Sequence, residues 1–234
     1  MKQRETTISE NEIFRNFWKN NDRFASLFNA AVFGGEDVVK PEVLIDSDNT
    51  EIPNGCAEIS DEMNTVVKKT GYGVEFVLTG IKDQRDMPLH LLYQDSLGYL
   101  KECREIVQSR QEIHYIDNTD EVLGALSKED RLKPIINLVM YYGKEPWNGT
   151  MSLKEMFPNV PEAIRAVLPD YRINLIQVKE AAGCYHFDNK DLQDVFQMAE
   201  FVCKDEIDKM YDYMKENKVK SEVAAMLEVL TGKA

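Results

Sequence analysis

The chain has 234 residues, 43% of them hydrophobic, and carries 41 Asp and Glu against 28 Lys and Arg for a formal charge of −13. That length and apolar content suffice for a substantial core, while the acidity sets up a field that slows a polyanion's approach, so DNA binding would need a local basic patch or a bound divalent cation. No apolar run long enough to span a bilayer occurs, and MKQRETTISENEIF at the start lacks the apolar block of an export signal, so the expected compartment is the cytoplasm, with no membrane partner.

From Glu10 to Phe33, Ile13, Phe14, Phe17, Trp18, Phe24, Leu27, Phe28 and Ala31 recur near helical spacing until Gly34-Gly35 stops the pattern. Glu36 to Ser60, broken by Pro41, Pro53 and Gly55, reads as loop with a short helical turn near Pro41. Asn64 to Lys69 and Val74 to Lys82 are β-prone and flank Thr70-Gly71-Tyr72-Gly73, a hairpin signature. Met87-Pro88 opens a helix whose apolar positions continue past Arg104. KPIINLVMYYG, Lys133 to Gly143, is apolar on both parities and reads as a central strand buried on both faces. A short helix at Ser152 to Phe157 and a strand at Arg172 to Val178 follow, and the remainder is helical, with Leu192, Val195, Phe196, Ala199 and Val202 on one face and Val223, Met226, Leu227 and Leu230 on another. The expected architecture is an α/β domain over 1–188 with a small mixed sheet flanked by helices, and a C-terminal helical extension over 189–234.

Cys56, Cys103, Cys184 and Cys203 are scattered without a C-x-x-C pair and are expected as reduced, mostly buried thiols. His90, His114 and His186 lie at no metal-ligand spacing. Nucleophile-elbow, phosphate-loop and dinucleotide glycine motifs are missing. Asp46, Asp48 and Glu51 lack the calcium-loop pattern, so they read as solvated loop carboxylates.

Five stretches resemble the recombination-promoting nuclease and transposase family, whose members have a PD-(D/E)XK restriction-endonuclease-like core: NDRFASLFNAAVFGGEDVVKPEVL from Asn21, VVKKTGYGVEFVLTGIKDQ from Val66, MPLHLLYQDSLGYLK from Met87, EDRLKPIINLVMYYGKEPWNGTMSLKEMF from Glu129, and INLIQVKE with FDNKDLQDVFQMAEF. The resemblance implies an Asp on the strand before the hairpin turn and a Glu in a Glu-Asn-Gln triplet at the end of the next strand, together holding a divalent metal that activates water against a phosphodiester. Here the Asp position is Thr65 and the triplet is Lys82-Asp83-Gln84, so only Gln84 matches. A lysine in place of the Glu removes a ligand and adds a charge that repels Mg²⁺. Asp61, Asp83 and Asp86 are candidate substitutes, although strand parity turns Asp83 away from Lys82, and Lys82 is expected either to pair with Asp61, Glu62 or Asp83 or to touch a nucleic-acid phosphate. Asp95 and Tyr99 match the family's Tyr-Asp-x-x-x-Tyr segment, with Gln94 for the first Tyr, and His90 stands where the family has Arg. Asp95 and Tyr99 serve either catalysis or a hydrogen bond that supports the fold.

The resemblance therefore implies a nuclease fold with a degenerate metal site and a binding or regulatory role, either self-associating as a homo-oligomer or pairing with an active relative, with DNA as a further candidate partner. The alternatives are an active Mg²⁺-dependent DNA endonuclease with a relocated carboxylate set, and a protein-interaction module without DNA binding.

Overall fold

The computed structural model describes residues 9–47, 64–83, 86–110 and 119–232. Helix α1 (Glu10–Trp18) starts at a Ser9-x-x-Glu12 capping signature in which the Ser9 hydroxyl accepts from the Glu12 amide at 3.2 Å. Asn20 caps α2 (Asn21–Ala31), so the expected single helical stretch is two helices with a corner between them. A 3₁₀ turn at Pro41–Val43 leads into β1 (Leu44–Asp46), a short strand that the proline-broken composition of this region conceals.

Strands β2 (Asn64–Thr70) and β3 (Glu75–Ile81) form the expected hairpin, with Gly73 at φ 90° in its turn. Helix α3 (Met87–Arg110) then crosses to β4 (Ile135–Tyr141), by way of the short α4 (Thr119–Gly124). A 3₁₀ turn at Leu153–Met156 and α5 (Glu162–Val167) precede β5 (Leu175–Gln177), which runs directly into α6 (Val178–Cys184). The chain continues as α7 (Lys190–Cys203), α8 (Ile207–Asn217) and α9 (Ser221–Thr231).

The sheet is mixed and its spatial order follows the chain, β1-β2-β3-β4-β5. The first three strands form an antiparallel meander, and β4 and β5 add in parallel. Period-two alternation divides the strands between two apolar layers. Val66, Phe76, Leu78, Leu138, Met140 and Ile176 pack with α1, α2, α7 and α9 in the larger one. Ile81, Val139 and Tyr141 meet Met87 and Leu91 of α3 and Ile173 in the smaller one. This burial of β4 on both sides fits its apolarity on both parities. The helices after Asn189 supply Leu192, Phe196, Met226 and Leu230 to the larger layer, so they complete the core that the sheet and α1 begin.

Two buried cations tie these layers together. Lys68 on β2 is fully buried, and its ammonium donates to the Lys19 carbonyl at 2.8 Å, to Asn21 Oδ1 at 2.6 Å and to Asp46. These three acceptors join the α1–α2 corner to β1 and replace the water that the ammonium gives up. Arg23, 2% exposed, donates to Asp191 Oδ2 through Nε at 3.0 Å and Nη2 at 2.7 Å, and also pairs with Glu222. Its guanidinium lies 4.3 Å from the Phe17 ring centroid, and Lys220 pairs with Asp191 at 3.0 Å. The clamp links α2, α7 and α9.

No helix among the described residues is long and apolar enough to cross a membrane. Cys103 is buried, whereas Cys184 and Cys203 are exposed, against the expectation of mostly buried thiols, and Cys56 lies outside the described residues.

Candidate functional site at the end of the hairpin

Packing of α1 against the end of β3 builds the site. Phe76 and Leu78 face the larger core, and Gly80 shares their parity. A Cβ at Gly80 would come within 2.6 Å of the Phe14 ring, so the missing side chain is what lets α1 press onto the strand. Glu10 and Phe14, four residues apart, share a helix face, and this brings the Glu10 carboxylate to the residue that follows β3.

That residue is Lys82. It forms an ion pair with Glu10, the two side chains being 46% and 59% exposed. Its ammonium lies 5.9 Å from the ring centroid of Tyr142, a residue just after β4 whose amide donates to the Ile81 carbonyl at 3.0 Å. Tyr142 is 7% exposed, and its hydroxyl accepts from Nδ2 of Asn64, 5% exposed, at 3.0 Å. Burial pushes the Tyr142 phenol up, against the lowering effects of the Asn64 bond and Lys82, so the hydroxyl stays protonated. Asn64 Oδ1 is buried with no hydrogen-bond partner among the described residues. Gly143 completes the wall: a Cβ there would run into the Lys82 carbonyl and the Tyr141 hydroxyl.

The register separates the two motif positions that the resemblance expects to converge. Thr65 lies opposite Thr79 on the α3 side of the sheet, whereas Lys82 reaches Glu10 and Tyr142 on the α1 side. Asn64, opposite Gly80, is the β2 residue that shares the Lys82 face. Asp83 and Asp86 are both exposed, and the Asp86 carbonyl accepts from the His90 amide at 3.1 Å in the first turn of α3. Asp61, Glu62 and Gln84 lie outside the described residues. Among the described residues the partner of Lys82 is Glu10 and not the expected Asp83, while the other two expected partners, Asp61 and Glu62, lie outside the described residues.

Asp95 sits on the opposite side of the sheet, 7% exposed and engaged by donors. Asn137 Nδ2 on β4 reaches both its carboxylate oxygens at 2.9 Å, and the Tyr171 hydroxyl donates to Oδ2 at 2.6 Å. Burial raises the Asp95 carboxyl, an effect that the Tyr171 and Asn137 bonds reduce without cancelling. Tyr99, one turn along α3, accepts from the Ile135 amide at 3.3 Å. Both helix positions thus fasten α3 to β4.

The described residues around Lys82 do not fit Mg²⁺. That ion takes several hard oxygens in near-octahedral array, and the local set is one carboxylate already paired with an ammonium, one amide and one protonated phenol. Among the described residues no group of three or more His, Cys, Asp or Glu converges as a metal site. Sequence reasoning misses Glu10, Asn64 and Tyr142. The Glu10-x-x-x-Phe14 spacing marks a helix face, but only the packing of α1 on Gly80 identifies where that face lands. No family model, curated protein or solved structure matches this chain.

Proposed function

We propose that the chain is a PD-(D/E)XK-fold relative of the recombination-promoting nucleases that acts without hydrolysis, as a binding or regulatory scaffold. The observation that carries this reading is the Lys82–Glu10 ion pair over Tyr142 at the end of the hairpin, where the resembling enzymes keep a metal-binding carboxylate. An ammonium there offers no lone pair and opposes a divalent cation by charge. The meander of three strands followed by a helix and a parallel strand supports the fold part of the proposal. The bonding of Asp95 to Asn137 and Tyr171 supports a structural use for that carboxylate. The roles proposed for such a scaffold are self-association or pairing with an active relative, and the charge of −13, which repels DNA at long range, makes DNA the less favoured partner.

Incubation of supercoiled and linear DNA with the protein in Mg²⁺ or Mn²⁺ tests the reading. No cleavage above a buffer control is expected. Cleavage that disappears in Asp83→Asn or Asp86→Asn would establish the relocated-carboxylate endonuclease instead.

A further inference from the structure

We infer that Glu10 and the ring face of Tyr142 form a site for an organic cation of the ammonium or guanidinium class, which Lys82 fills as an internal plug. The inference rests on the non-hydrolytic reading of this site. Two features define the chemistry. Glu10 supplies one carboxylate, 59% exposed and therefore reachable from solvent. Tyr142 supplies an aromatic face, fixed by the Asn64 bond to its hydroxyl and by the Phe14 ring at 6.3 Å.

One carboxylate and one π face match the needs of a singly charged, hydrogen-bonding cation. A divalent metal requires more charge and more oxygens than this set holds. Lys82 already demonstrates the match, since its own ammonium pairs with Glu10 and lies above the ring. The plug is 46% exposed and hangs on the flexible side chain of a residue beyond the strand end. A competing ammonium or guanidinium can displace it without any change in the backbone.

The test follows Glu10 and Tyr142 amide resonances of the full chain during titration with methylguanidinium, with a short peptide carrying one central arginine, and with Mg²⁺. Lys82→Ala is expected to bind methylguanidinium about fivefold more tightly than wild type, the factor by which a half-exposed ion pair holds such a site closed. Adding Glu10→Gln should abolish that gain, and Tyr142→Phe should retain most of it because the ring remains. A peptide that binds more tightly than methylguanidinium identifies the occupant as a basic protein segment, and equal affinities identify a free small cation. Unchanged methylguanidinium affinity in Lys82→Ala overturns the inference, as does saturable Mg²⁺ binding at the same amides in preference to methylguanidinium. The two readings fail separately: Mg²⁺-dependent DNA cleavage by wild type removes the non-hydrolytic reading, whereas no cleavage together with unchanged affinity removes the cation site alone.

Discussion

Replacing Asp95 by asparagine separates a fold-supporting carboxylate from a catalytic one. Asp95 accepts from Asn137 at 2.9 Å and from Tyr171 at 2.6 Å in a site 7% exposed. Asparagine keeps one acceptor oxygen for Asn137 and turns its NH₂ group toward the Tyr171 hydroxyl, which accepts it but loses the acceptor for its own proton. With one such buried donor costing about 1–3 kcal/mol and the relief of a buried charge offsetting part of the loss, the variant should be destabilised by roughly 1–2 kcal/mol. For a domain of this size that lowers the Tm by about 2–8 °C. The deficit should also depend on pH. Burial raises the folded-state pKa of Asp95, so its contribution is fully present below the ordinary carboxyl range and is lost as pH rises through the raised value. The gap between wild type and Asp95→Asn should therefore be widest in acid and narrow toward neutrality. Urea unfolding at several pH values measures both effects. A change below about 0.5 kcal/mol at every pH would refute the structural role, because surface substitutions without buried partners fall in that range.

Arg23→Met should cost about 3–5 kcal/mol in urea unfolding, since it strands the buried Asp191 carboxylate without its principal partner. Burial alone would raise Asp191, but its contacts with Arg23 and Lys220 outweigh this and hold it below the usual carboxylate range. Its stabilisation is accordingly present above the unfolded pKa and lost as pH falls through the lowered folded value, so wild type and Arg23→Met should converge in strong acid. Gly80→Ala forces a Cβ to within 2.6 Å of the Phe14 ring, and the overpacking should cost about 1–3 kcal/mol by thermal unfolding. Glu10→Gln removes only a half-exposed ion pair, so its effect on stability should stay below about 1 kcal/mol, and the same assay checks it.

Local chemistry makes much of the fold legible. The glycines around Tyr72 announce the hairpin, Met87-Pro88 the start of α3, and the two-sided apolarity of Lys133 to Gly143 a central strand. Strand β1 is hidden because three residues pair there and prolines dominate the surrounding stretch. Helix α5 is hidden for another reason: its residues have no buried face, so no periodic pattern exists to be read. In the site, Lys82 is visible as a cation at a strand end, but its surroundings depend on pairs distant in the chain. Glu10 arrives through the fit of Phe14 on Gly80, and Tyr142 through the parallel addition of β4 to β3. Pairing Thr65 with Lys82 overlooks the register, which turns Thr65 toward α3 and Asn64 toward Lys82.

The most direct measurement is calorimetric titration of Mn²⁺ into wild type, Thr65→Asp/Lys82→Glu and Asn64→Asp/Lys82→Glu. If Lys82 stands in the metal position on the α1 face, wild type shows no saturable binding. The Asn64→Asp/Lys82→Glu variant binds because its two new carboxylates join Glu10 on one face, and the Thr65→Asp/Lys82→Glu variant stays weak because the carboxylate introduced on β2 faces α3. Saturable Mn²⁺ binding by wild type, removed by Asp83→Asn or Asp86→Asn, would contradict the account.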